Sequence, residues 1–112
     1  MYVWQYYCGG KGKKVEIYNI PDAFSLPLRL KILSCLLCDS KSFTELREIT
    51  KATDGNISVQ LSKLEGWGYL ISEKKLVGKK TNSTYRITDY GIKQFEEYIN
   101  LLEDILRKAS FN

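Results

Sequence analysis

No histidine occurs among the 112 residues, which removes the side chain most used as general acid or base, nucleophile activator and metal ligand. Cys35-Leu-Leu-Cys38 has the spacing of a redox or zinc pair, but it sits inside an apolar helical pattern without a second pair. It reads as two partly buried helix cysteines. Glu96-Glu97 and Glu103-Asp104 are neighbouring carboxylates that diverge on a helix surface and form a solvated face. The run Gly9-Gly-Lys-Gly-Lys-Lys lacks the Gly-x-x-x-x-Gly-Lys-Ser/Thr spacing of a phosphate-binding loop. No catalytic residue, metal ligand set or cofactor is expected, and the chain is not read as an enzyme.

The chemistry that remains is recognition. In the segment Thr53 to Leu70, Ile57, Leu61 and Leu64 recur at helical spacing and predict one buried stripe. The opposite face carries Gly55, Asn56, Val59, Ser62 and Lys63, with Ser58 at its edge. These side chains are short or polar and include no carboxylate. A helix surface selected for solubility alone carries more Glu and Lys, so this face suits a groove. Charge points the same way. Between Lys63 and Arg86 the bases Lys63, Lys74, Lys75, Lys79, Lys80 and Arg86 face only Glu65 and Glu73. From Asp89 to Asp104, Asp89, Glu96, Glu97, Glu103 and Asp104 face only Lys93. With a net charge of +4, this asymmetry predicts a molecule that turns one basic side to a polyanion.

Those residues need elements to hold them. Residues 1–20 read as an arm or loose hairpin, with Tyr2, Trp4 and Tyr6 alternating along a first strand and Val15, Ile17 and Tyr18 in a second β-prone stretch. The three aromatics are expected to cover core edges. One domain follows over residues 21–112. Ser25 is expected to cap a first helix with Pro27 in its opening turn, and Leu28, Ile32, Leu33, Leu36 and Leu37 recur along it. After an extended link at Phe43, a second helix starts at Thr44 with Leu46 and Ile49 inward. Thr53 caps the third helix, taken as residues 54–66, and Gly66 and Gly68 end it. Trp67 reads as a packing residue there. Strands over Leu70–Val77 and Thr84–Thr88 flank a tip at 78–83, within a wing taken as residues 74–86. Thr88 caps a last helix over 89–108, on which Ile92, Phe95, Ile99, Leu102 and Leu106 form a stripe. That stripe reads as packing on the domain's own core, though so long a helix can also seek a partner.

The order helix, link, helix, turn, helix, hairpin, helix resembles the winged helix-turn-helix, an α+β fold, and in particular the MarR-like and ArsR-like regulators. The resemblance rests on Arg29-Leu-Lys-Ile-Leu, Phe43-Thr-Glu-Leu, Asp54-Gly-Asn-Ile-Ser with Leu61 and Lys63-Leu-Glu, Gly68-Tyr-Leu, Gly78-Lys-Lys, Tyr85-Arg-Ile-Thr, and Gly91 with Phe95. It implies a regulator of transcription that binds double-stranded DNA, with the third helix in the major groove and the wing on the backbone. Asn56 would then pair with adenine, Lys63 with guanine or phosphate, Val59 with a thymine methyl, and Ser58 and Ser62 with either. Lys79 and Lys80, with Arg86, would take phosphates.

Two departures from the MarR pattern stand out. The acid followed two residues later by arginine at the wing is missing, as is the N-terminal helix those regulators use to dimerise. The expected state is therefore a monomer or a homodimer through the C-terminal helix. The alternative function is a winged-helix module for protein–protein contact, which would need no basic wing. A further resemblance, on size, cysteine use and a Tyr/Ile/Lys-rich composition, is to a small winged-helix protein of spindle-shaped viruses of heat-loving archaea. The absence of a long apolar run or signal-like start predicts a cytoplasmic protein without membrane contact. Cys35 and Cys38, one turn apart, are poorly placed to bond each other. The expectation is a bridge from Cys8 to Cys38 or Cys35 that anchors the N-terminal strand, against the alternative of three free thiols.

Overall fold

The computed structural model describes residues 5–8, 13–16 and 20–109. Two short strands, β1 (Gln5–Cys8) and β2 (Lys13–Glu16), pair antiparallel with Gln5 opposite Glu16 and Cys8 opposite Lys13. The expectations for Tyr2, Trp4 and the Tyr6 side chain lie outside the described residues. A 3-10 turn (Asp22–Phe24) leads into α1 (Pro27–Cys38), followed by β3 (Lys41–Ser42), α2 (Phe43–Thr50), α3 (Asp54–Gly66), β4 (Leu70–Val77), β5 (Lys80–Ile87) and α4 (Asp89–Ala109). Strands β3, β5 and β4 form one antiparallel sheet in that order. This is a winged helix-turn-helix fold of the α+β class.

The core is built where the apolar periodicities meet. Ile32 and Leu33 of α1, Leu46 of α2, and Ile57, Leu61 and Leu64 of α3 are almost wholly buried. Burying one such side chain stabilises by about 1.5–3 kcal/mol. Leu70 and Ile87, directly opposite each other at the base of the β4–β5 hairpin, close the core from the sheet side. Phe24 ties the two ends of the domain together. Its ring stacks on Tyr98 of α4 at 4.5 Å and meets Phe95 edge-on at 5.6 Å.

Local chemistry sets the element ends, and it differs from the sequence expectation in several places. Ser25 does not cap α1. Its hydroxyl donates to the Asp22 carbonyl and accepts from Arg29, so Leu26 becomes the N-cap and Pro27 the first helical residue. Helix α2 starts at Phe43, one residue earlier than expected. Ser42 Oγ accepts from the Glu45 amide while Glu45 Oε1 accepts from the Ser42 amide, a capping box. The same Ser42 pairs with Thr84 in the sheet. Ile49 is not inward but 52% exposed, because Thr50, one turn after Leu46, takes the inner position and donates to the Leu46 carbonyl at 2.7 Å. The hairpin tip is only Gly78-Lys79, with Val77 opposite Lys80. Gly78 has φ 65° at the first central position, where a two-residue II′ turn requires glycine, so β5 begins four residues before the expected Thr84.

The apolar stripe of α4 is largely uncovered. Phe95 is buried, but Ile99, Leu102 and Leu106 are 42%, 43% and 69% exposed, and Ile92 is exposed as well. The expectation that the stripe packs on the domain's own core therefore holds only at Phe95, because α4 runs on beyond the elements it covers. Among the described residues Cys35 and Cys38 carry free thiols, which lends the expected bridge from Cys8 no support.

Candidate functional site

Helix α3 is positioned at both ends by local chemistry. Thr53 Oγ1 accepts from the Asn56 amide at its start, and Gly68, at φ 87°, turns the chain left-handed just beyond its end. With Ile57, Gln60, Leu61 and Leu64 turned inward, Gly55, Asn56, Ser58, Val59, Ser62 and Lys63 are all exposed. The helix also has two carboxylates near this face, and both are engaged elsewhere. Asp54 accepts from Arg47 of α2 at 3.0 Å, and Glu65 accepts from Ser72 of β4 at 2.7 Å. The open strip is thus left with neutral groups and one cation.

The wing places its bases by strand alternation. Directly opposed residues share a sheet face, so Lys75 with Asn82, and Lys80 two residues before it, lie on the face away from Leu70 and Ile87. Lys79 is in the turn itself and Lys74 is on the other face. All four lysines are exposed. Arg86 is exposed too, but it pairs with Ile71 near the hairpin base, well away from the tip lysines. Leu76, 75% exposed beside the tip, escaped the sequence reading.

At the hairpin base the Thr88 hydroxyl donates to the Gly68 carbonyl at 2.7 Å and accepts from the Gly91 amide at 2.9 Å. It links the end of α3 to the start of α4. Gly91 must be glycine: a Cβ there would lie 2.6 Å from the Tyr69 carbonyl oxygen and 2.9 Å from Ile87. Burial raises the Tyr69 phenol pKa, as do the nearby Tyr90 and Glu97. Burial and Glu65 raise that of Tyr85. Both phenols stay protonated at neutral pH. Trp67 packs less than expected, with 40% of its surface open and the Arg29 guanidinium 5.0 Å from its ring centre.

Known proteins share this arrangement of helices and hairpin. The family profile "Winged helix DNA-binding domain" covers residues 28–106. The chain belongs to the winged helix DNA-binding domain family. An uncharacterized protein of Methanocaldococcus jannaschii is 32% identical over 77 residues, which are 68% of this chain and 84% of that one. In fold, the chain is similar to a transcriptional regulator homologue from Pyrococcus horikoshii, with TM-score 0.66 and 23% identity, covering 72% of this chain and 81% of the other. It is equally similar to the homodimeric winged helix-turn-helix DNA-binding domain of an ArsR-family candidate from Mycobacterium bovis, with TM-score 0.66, 18% identity and 86% of each chain covered. MarR-family structures share the fold as well. At these identities the structural likenesses speak for the fold alone. The relatives are cellular proteins and lend the viral resemblance no support. The family is one of DNA-binding domains and not of enzymes. No helix among the described residues is long and apolar enough to cross a membrane.

Proposed function

We propose that this winged helix regulates transcription by laying α3 in the major groove of double-stranded DNA, with the wing on the backbone. The observation that carries the reading is the strip from Gly55 to Lys63, left free of carboxylates because Asp54 and Glu65 are held by Arg47 and Ser72. An α-helix fits the major groove, where each base pair shows a distinct pattern of donors and acceptors. Asn56 reads adenine, Lys63 guanine or a phosphate, Val59 a thymine methyl, and Ser58 and Ser62 complete the strip. Lys79 and Lys80 take phosphates next to the tip, and Arg86 takes one from the hairpin base. These phosphate contacts set the protein's position without reading sequence.

The binding unit is a homodimer of two copies of this chain, joined through the exposed Ile92, Ile99, Leu102 and Leu106 of α4. A two-fold pairing covers the same stripe on both copies, and the similar Mycobacterium bovis domain is homodimeric. Selection of bound sequences from a random duplex pool, followed by titration of the winner against salt, tests the reading. A defined two-fold motif with affinity falling steeply in salt is expected. Failure to enrich any motif would turn the reading toward a protein–protein module.

A further inference from the structure

Arg29 of α1 is a buried cation, only 6% exposed, and none of the ion pairs among the described residues includes it. An arginine out of water needs compensation at each donor. Here Nη1 donates to the Asp22 carbonyl at 2.7 Å and to Ser25 Oγ at 3.2 Å, while Trp67 lies against the guanidinium carbon. On the other side of the guanidinium Nε donates to Gln60 Oε1 at 2.8 Å. Gln60, itself buried, passes it on: its Nε2 donates to Asn56 Oδ1 at 3.3 Å.

The direction of this chain follows from the guanidinium. Arginine has donors only. The Gln60 atom that meets it must be the acceptor Oε1, which sends the Nε2 amide group the other way. That group has donors only, so the Asn56 atom facing it must be Oδ1. Among the described residues Asn56 Nδ2 has no partner, and one lone pair of Oδ1 lies beside it. An unsupported asparagine on a helix surface would offer either end of its amide.

We infer that Arg29 is a positioning residue for base reading, which through Gln60 fixes the amide of Asn56 so that it presents its N–H donor edge to a purine N7, with adenine completing the pair from N6. This rests on the reading of α3 as the groove helix and names the base edge that its first turn takes. Asn56 is the third residue of α3, near the helix N-terminus, where recognition helices meet base edges.

The discriminating variant is Gln60→Glu. A carboxylate still accepts from Arg29, so the buried cation keeps a partner, but it has no donor for Asn56. The Asn56 amide then turns over, with Nδ2 toward the new carboxylate and Oδ1 toward the groove. Base preference is measured at every position of the selected site for wild type, Gln60→Glu, Arg29→Lys and Asn56→Ala, with thermal melting as the folding control. For Gln60→Glu we expect a wild-type-like melt and a loss of roughly tenfold in the preference for adenine at one base pair, matched at that pair by Asn56→Ala. Arg29→Lys, which can still donate to Gln60, should retain most of that preference. Side-chain amide exchange by NMR provides a readout without DNA. In the wild type the Gln60 Nε2 protons should exchange more slowly than those of Asn56 Nδ2, and Gln60→Glu should slow the Asn56 protons.

A Gln60→Glu protein that melts normally and keeps the wild-type preference, while Asn56→Ala alters it, overturns the inference and leaves the groove reading standing. Faster exchange at Gln60 than at Asn56 in the wild type overturns it even if the variant fails to fold. If Asn56→Ala also leaves every preference unchanged, the groove reading of Asn56 fails and the inference with it.

Discussion

At the residue scale, reading and positioning are separable. Lys63 ends a long flexible stem on the open strip of α3, whereas Thr53 only holds the helix start. Lys63→Ala should cost roughly 1–3 kcal/mol at the base pair it contacts, if that contact is to guanine. A uniform loss across all sequences, read by competition among single-base variants of the selected site, assigns Lys63 to phosphate. Thr53→Ala removes the oxygen that accepts from the Asn56 amide. It should lower stability by about 1 kcal/mol in denaturant unfolding, with base preference unchanged. Most of the strip was legible in the sequence, because exposure on a helix follows from the spacing of Ile57, Leu61 and Leu64. Gln60 was not legible as a buried group. Its polarity argues for the surface, and its partner Arg29 lies far earlier in the chain, on another helix.

At the element scale, the wing and the second helix share a residue. Ser42 caps α2 and pairs with Thr84 of β5, so Ser42→Ala should cost about 0.5–2 kcal/mol and loosen the sheet edge as well. Hydrogen exchange should show faster opening at Thr84 and Tyr85 as well as along α2. Faster opening confined to α2 would mean that the strand does not depend on the cap. At the wing, Lys79→Ala with Lys80→Ala should weaken binding to all duplexes alike. The slope of log affinity against log salt should fall by about 0.9 for each phosphate no longer neutralised. An unchanged slope moves the phosphate-binding role to Lys74 and Lys75, or to Lys11, Lys13 and Lys14 near the N-terminus. The hairpin's existence was legible from Gly78-Lys-Lys between two β-prone runs. Its length was misjudged because Thr81, Asn82 and Ser83 are turn-prone types that the II′ turn at Gly78 nevertheless draws into the ladder. The capping box Ser42-Phe-Thr-Glu45 was missed, because it lies where a two-residue strand runs straight into the helix.

At the scale of the whole molecule, the proposed dimer rests on the C-terminal helix. Its 3-4-3-4 spacing was plain in the sequence, but what covers such a stripe depends on how far the rest of the domain reaches, which spacing does not encode. Leu102→Glu with Leu106→Glu places charge on the exposed part of the stripe and should yield monomers in sedimentation velocity without lowering the melting temperature of the domain core. A sedimentation profile identical to that of wild type would exclude this face as the joint. The consequence of Thr88 is mechanical. Its hydroxyl clips the end of α3 to the start of a rod of 21 residues, about 31 Å long at 1.5 Å per residue. With Thr88 as fulcrum, a tilt of about 5° moves the far end by roughly 3 Å over such a length. If the proposed dimer is joined along these rods, whatever re-seats their distal ends would swing the two copies of α3 relative to each other, and the gearing between assembly and operator spacing would be set at one threonine.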